Sequence, residues 1–234
     1  MKNGNFLLMA FKATGLIFLL GGGMSVSASS TFTWKEEVQL HDGRKIFVQR
    51  SDTYDSSMPH EIGQAAPLAE HKTTFKIPAT NQLVIWKSDN RSFSEPEHLN
   101  LLALDFLNGV PYIATEIGGP IAYKKWGKPN PPYVFFKYTD GWTRISLGEF
   151  PEKLKINLIV TGRKVDSPKI LQAVQELGFV PIQTVEKINL EPGRSKESYA
   201  ILRTALDYGP PRPVYSGPKA PHPSTPPNAT DEKK

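Results

Sequence analysis

At 234 residues the chain has room for one medium domain with extensions, or for two small ones. Its formal charge of +5 is too mild for a nucleic-acid binder, which needs a concentrated basic stripe, and the lack of cysteine excludes disulfides, lipobox anchoring and a thiol nucleophile. An apolar fraction of 39%, much of it aromatic, suffices for a core held together by packing alone.

Residues 1–28 read as a signal peptide. A lysine near the start precedes an apolar run from Ala13 to Met24, and the small residues Val26-Ser27-Ala28 suit a signal-peptidase site, so cleavage is expected after Ala28. The remaining chain carries 26 basic and 23 acidic residues. The competing reading is an uncleaved anchor, because Phe6 to Met24 is nearly long enough to span a bilayer; Lys12 and the Gly21-Gly22-Gly23 triplet oppose it. The expected location is outside the cytoplasm, in the periplasm or cell envelope, with membrane contact only through a retained leader.

Phe32 to Arg50 has the pattern strand, turn, strand around Asp42-Gly43. A three-residue loop with glycine in the left-handed region aligns Val38 and Leu40 with Ile46 and Val48, and brings Glu36 near Arg50. Residues 51–71 are polar and aperiodic and read as a long loop holding His60, Glu61 and His71. Thr73–Ile77 and Leu83–Lys87 form a second hairpin, with Trp86 in the core.

Segment 94–116 admits a helix from Ser94, capped by Glu97 and stopped at Asn108-Gly109, or a hairpin across that same Asn-Gly pair. The β-rich run VPYIATEI favours the hairpin, which puts Leu102, Leu104 and Phe106 on one face with Ile113. Residues 121–151 are dense in aromatics and combine the corner Pro129, Pro131, Pro132 with an Asp140-Gly141 turn. A two-residue loop there sets Phe136 opposite Ile145 and Lys137 opposite Arg144, a like-charge pair that calls for something negative nearby.

Leu154–Val160 reads as one more strand. Ser167-Pro168 starts a helix with Ile170, Leu171, Val174 and Leu177 as its stripe and Gly178 as its stop, and Ser195–Leu206 reads as a second helix. From Gly209 the chain has eight prolines in 26 residues, so residues 209–234 are expected to be a disordered Pro-rich tail, most simply a spacer. The expected fold is mainly β: an antiparallel β-sandwich or small barrel of about eight short strands over residues 29–160, followed by an α-containing C-terminal extension over 161–208.

Motifs for chemistry are sparse. There is no Gly-x-Ser-x-Gly elbow, and Gly118-Gly119-Pro120 lacks the lysine and hydroxyl of a phosphate loop. His60, Glu61 and His71 could ligate a metal across the loop, yet no spacing enforces it, so neither a metal nor a cofactor is expected. Glu61, Asp105 and Glu116 are the candidate acids of a glycosidase-like pair. The remaining candidate is a binding surface: Trp126, Lys128, Asn130 and Tyr133 on the proline-stiffened corner, with Lys137 and Arg144 beside them.

The blocks Trp34-Lys35-Glu36-Glu37-Val38, His60-Glu61-Ile62-Gly63-Gln64, Lys125-Trp126-Gly127-Lys128-Pro129-Asn130-Pro131-Pro132-Tyr133 and Trp142-Thr143-Arg144-Ile145 resemble those of a group of small exported bacterial, proteobacterial-type proteins of uncharacterised function. The likeness spans roughly residues 32–160. It implies a bacterial envelope setting and carries over no reaction, ligand or catalytic residue. The expected function is a non-enzymatic binding or interaction module for a protein or envelope polymer, a protective partner of a secreted toxin being one version. The alternatives are a periplasmic hydrolase of a glycan or envelope polymer, and a structural envelope component.

Overall fold

The structure is a computed structural model and describes residues 29–92, 94–160, 167–191 and 200–208. The leader and the Pro-rich tail lie outside the described residues, as do residues 195–199 of the helix expected from Ser195; residues 200–204 of it are described and are not helical, which corrects that expectation.

Eight strands form two antiparallel meanders of four. The first sheet holds β1 (Ser29–Gln39), β2 (Lys45–Asp55), β3 (Leu68–Lys76) and β4 (Leu83–Asp89); the second holds β5 (Leu99–Leu107), β6 (Val110–Ile117), β7 (Tyr133–Tyr138) and β8 (Trp142–Ile145). Their inward residues share one core: Val38, Val48, Phe75, Val84 and Trp86 from the first sheet meet Leu101, Leu104, Phe106, Ile113, Val134 and Phe136 from the second. The sheets therefore stack face to face as a sandwich, the mainly β fold expected from the hairpin signals.

The first hairpin forms as its residues dictate. Val38 pairs with Ile46, Leu40 N–H donates to the Arg44 carbonyl, and Gly43 sits at φ 85° in a three-residue loop. Glu36 and Arg50 meet at 3.3 Å, fully buried; Glu36 also accepts from the Trp34 indole and the Ile159 amide, and Arg50 donates to the Ile159 carbonyl. Such a pair is stable only while both partners remain, since removing one leaves a buried charge at a cost of about 3–5 kcal/mol. The Asn108-Gly109 hairpin also forms, pairing Leu107 with Val110 and Leu104 with Ile113, so 99–107 is a strand. A bulge between Leu101 and Ala103 turns Leu102 to the opposite face from Leu104 and Phe106, which corrects its expected placement.

Other expectations are corrected. The loop over 51–71 is shorter, because β2 runs to Asp55 and β3 starts at Leu68. At Asp140-Gly141 the pairing is Tyr138 with Trp142, Phe136 with Arg144 and Phe135 with Ile145, around the three residues Thr139 to Gly141. Lys137 lies opposite Thr143, and the like-charge pair does not exist. Leu154–Val160 joins no ladder; it is a strap whose Asn157 and Leu158 amides both donate to the Leu102 carbonyl and whose side chains add further bonds. Asn157 donates from Nδ2 to the Gln39 and Leu104 carbonyls and accepts the Leu104 amide, tying the end of β1 to β5.

Four helices complete the described chain. α1 (Pro120–Lys125) follows β6, and α2 (Ser167–Leu177) ends at Gly178, φ 79°. α3 (Ile182–Asn189) was absent from the sequence reading, and α4 (Ala205–Tyr208) is a single turn where the longer helix was expected to end. Ile170, Ala173, Val185 and Ile188 pack with Trp34 beside β1, and Val180 forms a parallel bridge with Glu36. The far face of the second sheet is covered too: Phe150, Leu154 and Ile201 lie against Leu102, Ala114, Phe135 and Ile145. No described helix is long and apolar enough to cross a membrane.

Candidate functional site

The second sheet is buried on both faces, whereas the outer face of the first is met only along its β1–β2 side, where Phe179 of the turn between α2 and α3 lies edge-on to Phe47 at 5.1 Å and the Ile182 amide donates to Glu37. Alternation along its strands puts Lys35, Glu37, Lys45, Phe47, Gln49, Lys72, Thr74, Lys76, Leu83, Ile85 and Lys87 on that face, opposite in direction to Val38, Val48, Phe75 and Trp86. Lys72 stands directly across from Lys87, a real like-charge pair on a different hairpin from the one the sequence suggested. Glu37 bridges Lys45 at 3.3 Å and Glu70 bridges Lys87 at 3.5 Å. Lys35 lies 4.0 Å over the Phe47 ring, and neither it, Lys72 nor Lys76 forms an ion pair among the described residues. Between these lysines Phe47 is 45% exposed, Ile85 47% and Leu83 57%. A shallow recess of about 400 Å³ opens among Lys35, Phe47, Gln49, Lys76 and Leu83.

The residues singled out from sequence are dispersed. Trp126 is half-buried: its indole N–H donates to the Glu97 carbonyl at 2.9 Å, its ring meets Phe136 edge-on, and Arg144 sits 5.6 Å over it while donating to its carbonyl. Tyr133 is buried with Phe135 and Phe150 under the covered face. Lys128 and Asn130 are exposed, and Lys137 approaches Glu149 at 4.0 Å. The corner thus closes the sandwich end rather than presenting two aromatics to a ligand.

Of the three acids, Glu61 is exposed and bound to Gln64, Glu116 lies in β6, and Asp105 is buried at the far end of β5. Asp105 accepts the His41 amide, the His41 ring N–H and the Phe106 amide at 2.7–2.8 Å, which clamps the first hairpin to β5. It borders a cleft of about 440 Å³ that also holds Glu186, Lys153 and Lys155, with no serine, threonine or cysteine in its lining. Both Asp105 oxygens are engaged by N–H donors, so the structural role accounts for it.

A second cleft, of about 460 Å³, lies where the chain crosses from β4 to β5, at the opposite end of β5. His71 of β3 points inward, 3% exposed, and its ring Nδ1 is 2.6 Å from the Asp52 carboxylate, which can only accept; the proton therefore sits on Nδ1. Its Nε2 is buried and has no hydrogen-bond partner. His98 forms the facing wall at φ 43°, a left-handed conformation that costs about 1–3 kcal/mol and is held by the Asn90 side chain accepting its amide and by Gly118 donating to its carbonyl. Its Nδ1 faces the Gly118 carbonyl at 3.1 Å, and burial lowers its pKa below the ordinary value. Gly119, at φ 83°, passes close enough that an added Cβ would lie 3.7 Å from that ring. His60 and Glu61 are exposed on the loop before β3, and among the described residues no three histidine, aspartate or glutamate side chains converge.

Fold and surface define an antiparallel β-sandwich with one clothed sheet and one bare, basic sheet. No protein family, curated protein or solved structure matches this chain.

Proposed function

We propose that the protein is an exported, non-enzymatic binding module of the bacterial envelope that docks an acidic partner protein on the outer face of its first sheet. The observation that carries this reading is the bare face itself: five lysines surround Phe47, Leu83 and Ile85, while the other sheet is clothed on both sides. Lysine ammonium groups kept apart by like charge are relieved by carboxylates from outside, and their alkyl stems extend the apolar area. The recess beside Phe47 favours a protein over a lipid surface or a polymer, because a partner's anchoring side chain can fill it inside a polar rim. The leader pattern supports export, and a protective partner of a secreted toxin belongs to this class.

The test is site-specific photocrosslinking in cells with the probe at residue 85, and at residue 143 on the other sheet as control. A discrete adduct is expected from position 85 alone, lost in Lys72→Glu/Lys76→Glu and weakened by raising salt well above the level at which charges are screened within about 10 Å. Equal adducts from both positions, or indifference to the charge reversal, would overturn the reading.

A further inference from the structure

We propose that the cleft at the β4–β5 crossing binds a soft, singly charged transition-metal ion, copper(I), through Nε2 of His71 and Nε2 of His98, with the Met58 thioether as third donor. The site is independent of the basic face, since His71 and Lys72 are successive residues of β3 and point to opposite sides of the sheet.

The donors are prepared as ligands. A ring whose Nδ1–H is fixed by a carboxylate or a backbone carbonyl presents the Nε2 lone pair in one orientation, the arrangement that metal-bound histidines require. Both rings have it: His71 through Asp52, and His98 through Gly118. His71 Nε2 is the decisive atom, because a buried nitrogen without a protein partner is uncommon and leaves its lone pair open to a ligand in the cleft it borders. His98 lines the same cleft as His71, held there by its left-handed turn and by the Asn90 and Gly118 hydrogen bonds to its backbone.

The donor set selects the ion. Imidazole, thioether and the amides of Asn90 and Asn100 are neutral, and Met58 forms part of the wall. The chain has no cysteine and no described third histidine or carboxylate converges, so a closed tetrahedral zinc site lacks its ligands. Two nitrogens and a sulfur suit copper(I), which accepts two or three soft neutral ligands. An anion fits poorly: Arg91 on the rim is already bridged to Glu70 and Asp89 at 3.5 and 3.1 Å.

The full chain, free of metal and under anaerobic conditions, is titrated with copper(I) buffered by a chromophoric chelator, while nitrogen NMR follows the histidine rings. One equivalent taken from the chelator, with Nε2 resonances of His71 and His98 shifting together, is the expected result. His98→Gln should weaken uptake by about a hundredfold or more, Met58→Leu by about tenfold, and His60→Gln should leave it unchanged. His98 and Met58 are only partly buried, so their variants remain informative if His71→Gln fails to fold. No uptake means that the cleft holds only water and overturns the proposal, as does uptake unaffected by His98→Gln. Preferential zinc(II) binding, indifferent to Met58→Leu, overturns the copper(I) assignment.

Discussion

His98 shows how one residue can be positioned against its own preference. Its left-handed backbone is paid for by the Asn90 and Gly118 hydrogen bonds, and its half-buried ring resists protonation because burial penalises the charged form, the hydrogen bond to Gly118 opposing this and the neighbouring His71 adding to it. The sign of the pH effect follows. Below the ordinary value of 6.5 the unfolded chain takes up a proton that the folded ring refuses, so stability falls as pH drops from about 6.5 toward the folded pKa and is level below it. Urea titrations between pH 8 and 5 should show this slope in the native chain and a flatter one in His98→Gln; parallel slopes would refute the assignment. None of this is legible in the sequence. His71 and His98 stand 27 residues apart with no motif spacing, and Asp52 and His71 occupy inward strand positions as a hydrogen-bonded pair, so their polarity makes two strands look like loop.

Among the elements, legibility followed how the two faces of a strand differ. The first hairpin was readable because β1 and β2 alternate between the core and water, and only a three-residue loop with Gly43 keeps Val38 and Ile46 together. The hairpin of β7 and β8 was misread for the converse reason. Tyr133 to Phe136 is buried on both faces, so a shift of one residue still puts apolar groups on each, and the Asp-Gly preference for a two-residue turn had nothing to contradict it. The strap at 154–160 carries strand-like residues, but it is attached by two amides on the Leu102 carbonyl, by Ile159 to Glu36 and Arg50, and by the Asn157 side chain rather than by a ladder. Asn157→Ala removes three side-chain hydrogen bonds, one to Gln39 of β1 and two to Leu104 of β5, each contributing about 0.5–1.5 kcal/mol, and leaves the part-buried Leu104 groups without these partners. A loss of about 2–4 kcal/mol in chemical denaturation is expected, against less than about 0.5 kcal/mol for the exposed control Lys155→Ala.

For the whole molecule the consequence lies at the rim of the bare sheet. β4 is bonded to β3 on one side only, and its Ile85 carbonyl accepts the Trp142 indole N–H at 2.8 Å from the other sheet. The indole occupies a carbonyl that a strand from a second molecule would otherwise take, in a segment whose outward Leu83 and Ile85 are sticky. Trp142→Phe keeps an aromatic ring there but removes the N–H. Its fibril lag time under agitation, followed by an amyloid dye, should shorten several-fold while the circular dichroism of fresh protein is unchanged, and an unaltered lag would refute this. One nitrogen atom, on that account, separates a sheet edge closed to a second copy from a template for the chain's own polymer.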